Sequence, residues 1–516
     1  MLTCGSALAL TGLFLKTWTF GFNSDYVVAG LLAKRTLETG QWFIFVPGIG
    51  YQGMLLEGGL IALSFKFLGM NPYALNLPAT LLFLAVLGVF GWIVALSHGA
   101  RVGWLATLFL SVSSPNLYVT LLRPAPNYTE TFLIGLLMTA LYLRLVERWY
   151  VRRCSLDRLD WLLVSLFGVL FGFGLYNYAQ ILFFAGAIGL HALLLSLRYA
   201  ESLPRGHVAS LLGGLGGLAG VCWRHRVPLL VAFAGFLAGY SPKLYYNFVL
   251  GEPSVLRTGL SVSPDRILNR LGYLIEGHTL YLNLFDTGWF KGALAIGFLA
   301  LMAFSLVWFA RRCVSFARGE LPEACALYLS PLFFLALVVP AAFLVSASVG
   351  DMGAVRYSLA LFLFYALALA IAVDRLTRRS ALLQVSVLGF VGLFLYNNAM
   401  GFEREIRNAP VEAESEAVVR YLDQQNIRRG YADYWQAYTV NFLTQERIVL
   451  EPTYGNFLPF YAPVVETESR LAYVDVEESR FPVVNGRVRL SGRDFIVESL
   501  EEIGLVDVYI LTADKR

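Results

Sequence analysis

The chain has 516 residues, of which 57% are hydrophobic and 15% charged, with a formal net charge of +4. Soluble proteins carry about 45–50% apolar residues, so the composition excludes a purely soluble globular protein. The small net charge gives no basis for nucleic-acid binding, and the five cysteines, Cys4, Cys154, Cys222, Cys313 and Cys325, form no CxxC pair that would indicate a zinc site or a disulfide framework.

A helix crosses a bilayer with roughly 17–25 apolar residues. Segments of this kind are predicted over residues 2–21, 75–97, 102–121, 128–146, 161–177, 178–197, 228–248, 289–310, 326–347, 356–374 and 381–398. The fold class expected is therefore a polytopic α-helical membrane protein of about eleven spans with juxtamembrane helices. The first segment, Met1–Gly21, has neither a basic n-region nor a small-residue cleavage motif and reads as a retained span. Residues 53–69 are apolar but short and carry Glu57 and Lys66. Charge at the bilayer centre costs about 2.5–3.5 kcal/mol, so this stretch reads as an amphipathic helix on the outer surface. The stretch 208–222 (VASLLGGLGGLAGVC) is short and Gly-rich and is placed in the cytoplasm or at the interface.

Arginine orients the array. Arg101, then Arg144, Arg148, Arg152, Arg153 and Arg158, then Arg198, Arg205, Arg224 and Arg226, then Arg311, Arg312 and Arg318, then Arg375, Arg378 and Arg379 all fall in one set of loops. The positive-inside rule makes that side cytoplasmic. The N-terminus is then cytoplasmic, and residues 401–516 form a water-soluble domain outside. In that domain residues 412–426 (EAESEAVVRYLDQQN) have the pattern of an amphipathic helix. ERIVLE, RVRLSG and LVDVYILT have strand patterns, giving a small α/β domain. YADYWQAYTVNF reads as a buried core helix or the lining of an acceptor groove. The domain division expected is 1–400, a membrane catalytic part, and 401–516, the outer domain.

The chemically useful residues collect on the outer side. Asp25, in FNSDY after the first span, is placed either as a general base or as part of the N-cap of the helix VVAGLLAKRTLE. Glu130, at the head of a span after RPAPNYT, is a second acid, a metal ligand, an arginine partner, or a first-turn Glu favoured by the helix dipole. Arg356, in GDMGAVRYSL, stands where the positive-inside rule disfavours it; it takes a phosphate or pairs with Asp351. Lys243, in GYSPKLYYN, binds the same phosphate or snorkels to lipid headgroups. Asn127-Tyr128-Thr129 matches a glycosylation sequon but lies against the membrane. Aromatic residues, among them Tyr26, Trp42, Tyr51 and Tyr245, form an interfacial belt.

Four stretches carry a family resemblance: SDYVVAGLLAKRTLETGQWFIF with YQGMLLEGGLIALSFKFLG, SSPNLYVTLLRPAPNYTETFLIGLLMTALYLRL, GDMGAVRYSLALFLFYALALA, and YADYWQAYTVNFLTQERIVLEP. In order and layout the chain resembles the GT-C superfamily of polyprenyl-phosphate-sugar-dependent glycosyltransferases. It is most similar to the bacterial family 39 and protein-mannosyltransferase-like group, which includes the lipid A aminoarabinose transferase. The resemblance implies that Asp25 is the catalytic base and that Glu130 falls near the second acidic position. It implies that Arg356 approaches the lipid phosphate, with Arg123 or Lys243 assisting. Tyr26, Glu57, Asn127 and Tyr357 are the substrate-contact candidates beside them. Many relatives follow the first Asp with Glu where this chain has Tyr26.

The activity implied is inverting transfer of a sugar from a polyprenyl-phosphate donor to an acceptor hydroxyl of a glycolipid, polysaccharide or protein. The location implied is the outer face of the bacterial inner membrane. Relatives differ in metal use, so a divalent metal is compatible with the resemblance; the membrane part shows no metal-ligand cluster, and His278 stands alone as a structural histidine. The alternative is a multi-span transporter or an envelope-assembly protein without catalysis. A transporter usually shows internal repeats and midplane charges, which are not evident here.

Overall fold

The structure is a computed structural model describing residues 23–47, 50, 52–113, 115–124, 127–154, 157–201, 226–252, 259–284, 289–408, 414–455, 457–476 and 483–514. The expected first span and the 208–222 stretch lie outside the described residues. In chain order the helices are α1 (Ser24–Thr39), α2 (Leu55–Leu68), α3 (Pro72–His98), α4 (Ala100–Ser111), α5 (Pro115–Leu121), α6 (Tyr128–Leu145), α7 (Arg158–Asn177), α8 (Ile181–Glu201), α9 (Arg226–Phe248), α10 (Pro264–Tyr281), α11 (Trp289–Ala317), α12 (Leu335–Val345), α13 (Leu361–Thr377), α14 (Ala381–Asn408), α15 (Glu414–Gln424), α16 (Tyr434–Leu443) and α17 (Ala462–Val465). The strands are β1 (Arg429–Ala432), β2 (Val449–Pro452), β3 (Arg470–Val476), β4 (Arg487–Leu490), β5 (Arg493–Ile503) and β6 (Val506–Ala513).

Among the described residues, seven helices are long and apolar enough to cross a membrane: Pro72–His98, Tyr128–Val151, Arg158–Asn177, Ile181–Arg198, Arg226–Phe248, Phe290–Ala317 and Ala381–Arg404. Three expected spans take other forms. The 102–121 stretch divides into α4 and α5. Ser111 and Ser113 turn their hydroxyls back onto the carbonyls of Leu108 and Leu110, and Pro115 has no N–H to continue the ladder. The 326–347 stretch opens with two 3-10 turns, Glu323–Tyr328 and Pro331–Phe334, before α12. The 356–374 stretch is a bent pair, Met352–Ser358 and α13, with 63° between them. The short helix α2 has 14 residues, a rise of about 21 Å against a hydrocarbon core of about 30 Å, so it is too short to span.

The described residues form two compact units. One comprises the described residues of Leu81–Leu121 and Asn127–Arg404, and the other those of 23–80, 122–124 and Glu405–Arg516. In the first, α7 and α9 pack backbone to backbone through two pairs of glycines, Gly168 with Gly172 and Gly235 with Gly239. The buried Arg270 of α10 donates to the carbonyls of Ser261, Leu344 and Val349, which joins the loop before α10 to the turn after α12.

The second unit is built on a six-stranded mixed sheet of order β2-β1-β3-β6-β5-β4. β1 pairs in parallel with β2 and β3, and the remaining neighbours are antiparallel. Strand alternation sends Leu471 and Tyr473 to one face and Ala472 and Val474 to the other. The first face shares a core with Val27, Leu31 and Leu32 of α1 and Ile61 and Phe65 of α2; the second packs on Val418 and Leu422 of α15. The predicted tail helix is α15. The predicted strands ERIVLE, RVRLSG and LVDVYILT overlap β2, β4 and β6, which stand in the sheet with β1, β3 and β5. YADYWQAYTVNF contains β1's last residues and α16, which is buried along most of its length.

Candidate active site

The second unit holds Asp25, Tyr26, Glu57 and Arg123. Asn23 has extended backbone (φ −157°, ψ 176°), and its side chain accepts the N–H of Asp25 at 3.1 Å. Asn23 is therefore the N-cap of α1, and Asp25 sits in the first turn, where the helix dipole favours a carboxylate. The Asp25 side chain is half-buried, and its Oδ1 accepts a hydrogen bond of 2.7 Å from the hydroxyl of Tyr434 on α16. Next to it, the hydroxyl of Ser24 donates to the carbonyl of Trp435 at 2.8 Å. Neither Tyr434 nor Trp435 is a sequence-predicted site residue; the signal available was the aromatic run after Asp433, itself a helix-cap residue.

Arg123 is fully buried. Burial pulls its guanidinium down to about 10, and the Tyr26 hydroxyl nearby pushes the other way, so it is charged at neutral pH. Glu57, in the first turn of α2, is buried.

The first unit holds Asn127, Glu130, Lys243, Arg356 and Tyr357. Asn127 caps α6 in the left-handed region (φ 55°). Its side chain is buried and donates to the carbonyl of Asn177 at 3.0 Å. Glu130 is buried as well, and accepts from the Asn177 side chain at 2.9 Å. The end of α7 is thus tied to the start of α6 by two residues of one turn, and Asn177 is the partner the sequence reading passed over. Lys243 is only 3% exposed. A snorkelling lysine would reach to the headgroups; this one is held inward, with its ammonium 5.9 Å from the centre of the Tyr240 ring. It lies four residues beyond Gly239, on the face of α9 that the glycines bring against α7.

Arg356 lies in the 3-10 helix Met352–Ser358, exposed, with its guanidinium 5.5 Å from the Tyr357 ring centre. Its charge also acts on Tyr128 and Tyr281. Asp351 caps this 3-10 helix by accepting the N–H of Ala354 at 3.2 Å. α10 buttresses the same segment. A Cβ on Gly277 would come within 2.4 Å of Val355, and His278 shares a hydrogen bond of 2.8 Å with Ser358 and stacks on Phe362. Burial pushes the imidazole down to about 4, in keeping with a neutral structural histidine. Among the described residues no group of three His, Cys, Asp or Glu side chains is arranged to hold a metal ion.

Two acids, Glu451 in β2 and Asp433 just after β1, should give the second unit a pH dependence. Burial, then the charge of Glu466, pushes Glu451 up to about 7. Burial also raises Asp433 to about 6, with Asp475 adding to the effect and the N–H groups of Trp435 and Gln436 opposing it. Both groups keep a proton in the fold at pH values where the unfolded chain has released it. Stability therefore falls as pH rises from the ordinary carboxylate range toward 7. The unfolding temperature of this unit, followed by calorimetry in detergent, should rise between pH 7.5 and 5, and Glu451→Gln should flatten the slope. An unchanged slope in that variant would assign the dependence elsewhere.

No protein-family model matches the chain, and no curated protein sequence matches it. Solved structures do. The crystal structure of ArnT from Cupriavidus metallidurans bound to undecaprenyl phosphate has a TM-score of 0.50 at 14% identity, covering 99% of this chain and 97% of that one. The Archaeoglobus fulgidus oligosaccharyltransferase in complex with Zn and sulfate has a TM-score of 0.52 at 13% identity, covering 92% of this chain and 68% of that one. The archaeal oligosaccharyltransferase AglB from the same organism, with an inhibitory peptide and a dolichol-phosphate, has a TM-score of 0.50 at 11% identity, covering 93% and 70%. At these identities the likeness is one of fold.

Proposed function

We propose that this chain, which has the GT-C fold of these neighbours, is an inverting glycosyltransferase. The donor is a sugar on a polyprenyl monophosphate, the class of lipid that two of the neighbours hold. The acceptor is a hydroxyl of a glycolipid, a polysaccharide or a protein. The observation that carries this reading, beside the fold, is Asp25. It is a half-buried carboxylate at the head of a helix, with one oxygen held by a phenol.

In the reaction, Asp25 takes the proton of the acceptor hydroxyl. The acceptor oxygen attacks the anomeric carbon opposite the phosphate, the bond from that carbon to the phosphate oxygen breaks, and polyprenyl phosphate leaves with the electron pair. General-base catalysis contributes about 10²–10⁴-fold, and fixed positive charge at the leaving oxygen contributes on a similar scale. Arg356 supplies that charge, assisted by Lys243 and Arg123. An arginine matches a phosphate with two parallel donors, while a buried lysine acts as a point charge. Glu130 serves by holding Asn177, and with it the turn between α7 and α8. Tyr26, Glu57, Asn127 and Tyr357 are assigned to the surroundings of the substrates. We assign residues 1–400 to the membrane catalytic part and 401–516 to an outer domain, with the N-terminus cytoplasmic, in a bacterial inner membrane.

The test is to incubate the purified full chain in lipid nanodiscs with a panel of polyprenyl monophosphates carrying radiolabelled sugars, together with envelope extract. The expected result is release of free polyprenyl phosphate, with label passing to one acceptor class. Intact donor throughout would remove the transfer reading, and label crossing the membrane of sealed proteoliposomes still attached to its carrier would support a transporter.

A further inference from the structure

We infer that Tyr434 is a positioning residue for the base: its hydroxyl fixes which oxygen of Asp25 takes the proton. The inference rests on the transfer reading above. A free carboxylate rotates and offers either oxygen. Here Oδ1 receives the phenol hydrogen at 2.7 Å, across 409 residues of chain, which leaves Oδ2 for the acceptor.

The phenol itself has little freedom. Its ring lies 5.5 Å from that of Tyr438 and 5.7 Å from that of Phe457, both edge-on, and a Cβ on Gly455 would come within 3.1 Å of it. Gly455 has φ +65°, so a side chain there would be strained in any case. Asp433 caps the helix that carries Tyr434, accepting the N–H groups of Trp435 at 2.6 Å and Gln436 at 3.3 Å.

The two helices are docked along their length. Besides the Ser24–Trp435 hydrogen bond, Ser24 lies 3.3 Å from the Thr439 hydroxyl, and Lys34 pairs with Glu446. Gly30 lets Phe442 approach so closely that a Cβ would meet it at 2.7 Å. The outer domain therefore reaches the base itself. Through one helix it sets the orientation of the carboxylate, as a supporting shell does for a reacting group. Burial, then the charge of Asp25, pushes the Tyr434 phenol far above its ordinary value, so it stays a hydrogen donor and does not itself deliver a proton.

Tyr434→Phe removes the hydroxyl and keeps the ring. A hydrogen bond to a charged group is worth enough that its loss should lower kcat by about tenfold or more. The KM for the donor selected by the panel should stay near the wild-type value, whatever the lost hydrogen bond takes from the unfolding temperature. Asp25→Asn is measured alongside. Wild-type kcat in Tyr434→Phe beside an inactive Asp25→Asn overturns the inference and leaves the transfer reading standing. A lowered unfolding temperature with unchanged kcat also overturns it, because the tyrosine would then be structural. Full activity in Asp25→Asn, or no cleavage of any donor by the wild type, removes both.

Discussion

Asp25→Asn should express and fold like the wild type, bind the lipid donor, and transfer sugar at least about 10²–10⁴-fold more slowly. The amide keeps the size of the carboxyl group, and its oxygen can still accept the Tyr434 hydroxyl hydrogen that Oδ1 accepts now. What disappears is the ability to take a proton from the acceptor. The measurement is the initial rate of polyprenyl phosphate release, with donor binding followed separately by retention of labelled lipid. The split between intact binding and lost turnover is the signature of an interaction made in the transition state. Wild-type turnover would remove Asp25 from the mechanism. Loss of binding and turnover together would make it a contact to the donor and not a base.

The second large effect concerns α7 and α9. A Cβ at Gly168 would stand 2.0 Å from the carbonyl oxygen of Ala232, and one at Gly172 would stand 2.1 Å from that of Phe236. From the other helix, Gly235 and Gly239 make the same approach to Ser165 and Val169, at 2.4 and 2.1 Å. The obstacles are backbone atoms, which cannot rotate away. Small residues four apart are what allow membrane helices to touch so closely, because packing, not exclusion of water, holds them together in lipid. Gly172→Leu should therefore push the pair apart and destabilise the protein by about 3 kcal/mol or more, at the upper end of overpacking. Gly189→Leu, where nothing lies within 4 Å, is the control and should be tolerated. Unfolding temperature and monodisperse yield in detergent check the pair; equal behaviour of the two variants would show that the interface yields. Because Lys243 follows Gly239 by one turn, opening this seam should also release its ammonium toward lipid.

The membrane-crossing helices were legible because a run of some twenty apolar residues has few other uses. What escaped was set by local chemistry or by distance along the chain. The 102–121 segment is apolar throughout, and its division depends on two serines bonding backward before Pro115. Lys243 looked like a snorkelling residue because the sequence does not say that glycines one and two turns earlier pull its face against a neighbour. Asp25 and Asn23 were visible as candidates, but which of them caps the helix is a matter of a single hydrogen bond. The tyrosine that holds Asp25 lies 409 residues away, beyond the reach of any periodicity. Asn177 joins Asn127 and Glu130 across about 50 residues for the same reason. In the sheet, the alternation of arginine with apolar residues in β4 and the apolar run of β6 marked them as strands, whereas the short parallel strand β1 ends directly in a helix cap and carries little pattern of its own.

The core shared by α1 and α16 has a consequence for biogenesis. Val27, Leu31 and Leu32 are made well before Tyr438 and Phe442, which share their core. About 395 residues separate the two helices. At about 5–20 residues per second, the early helix waits roughly 20–80 s for its partner. Throughout that interval its oily flank must be sheltered by the lipid surface or by a chaperone, and a nascent chain stalled before α16 should be a substrate for proteolysis at that site.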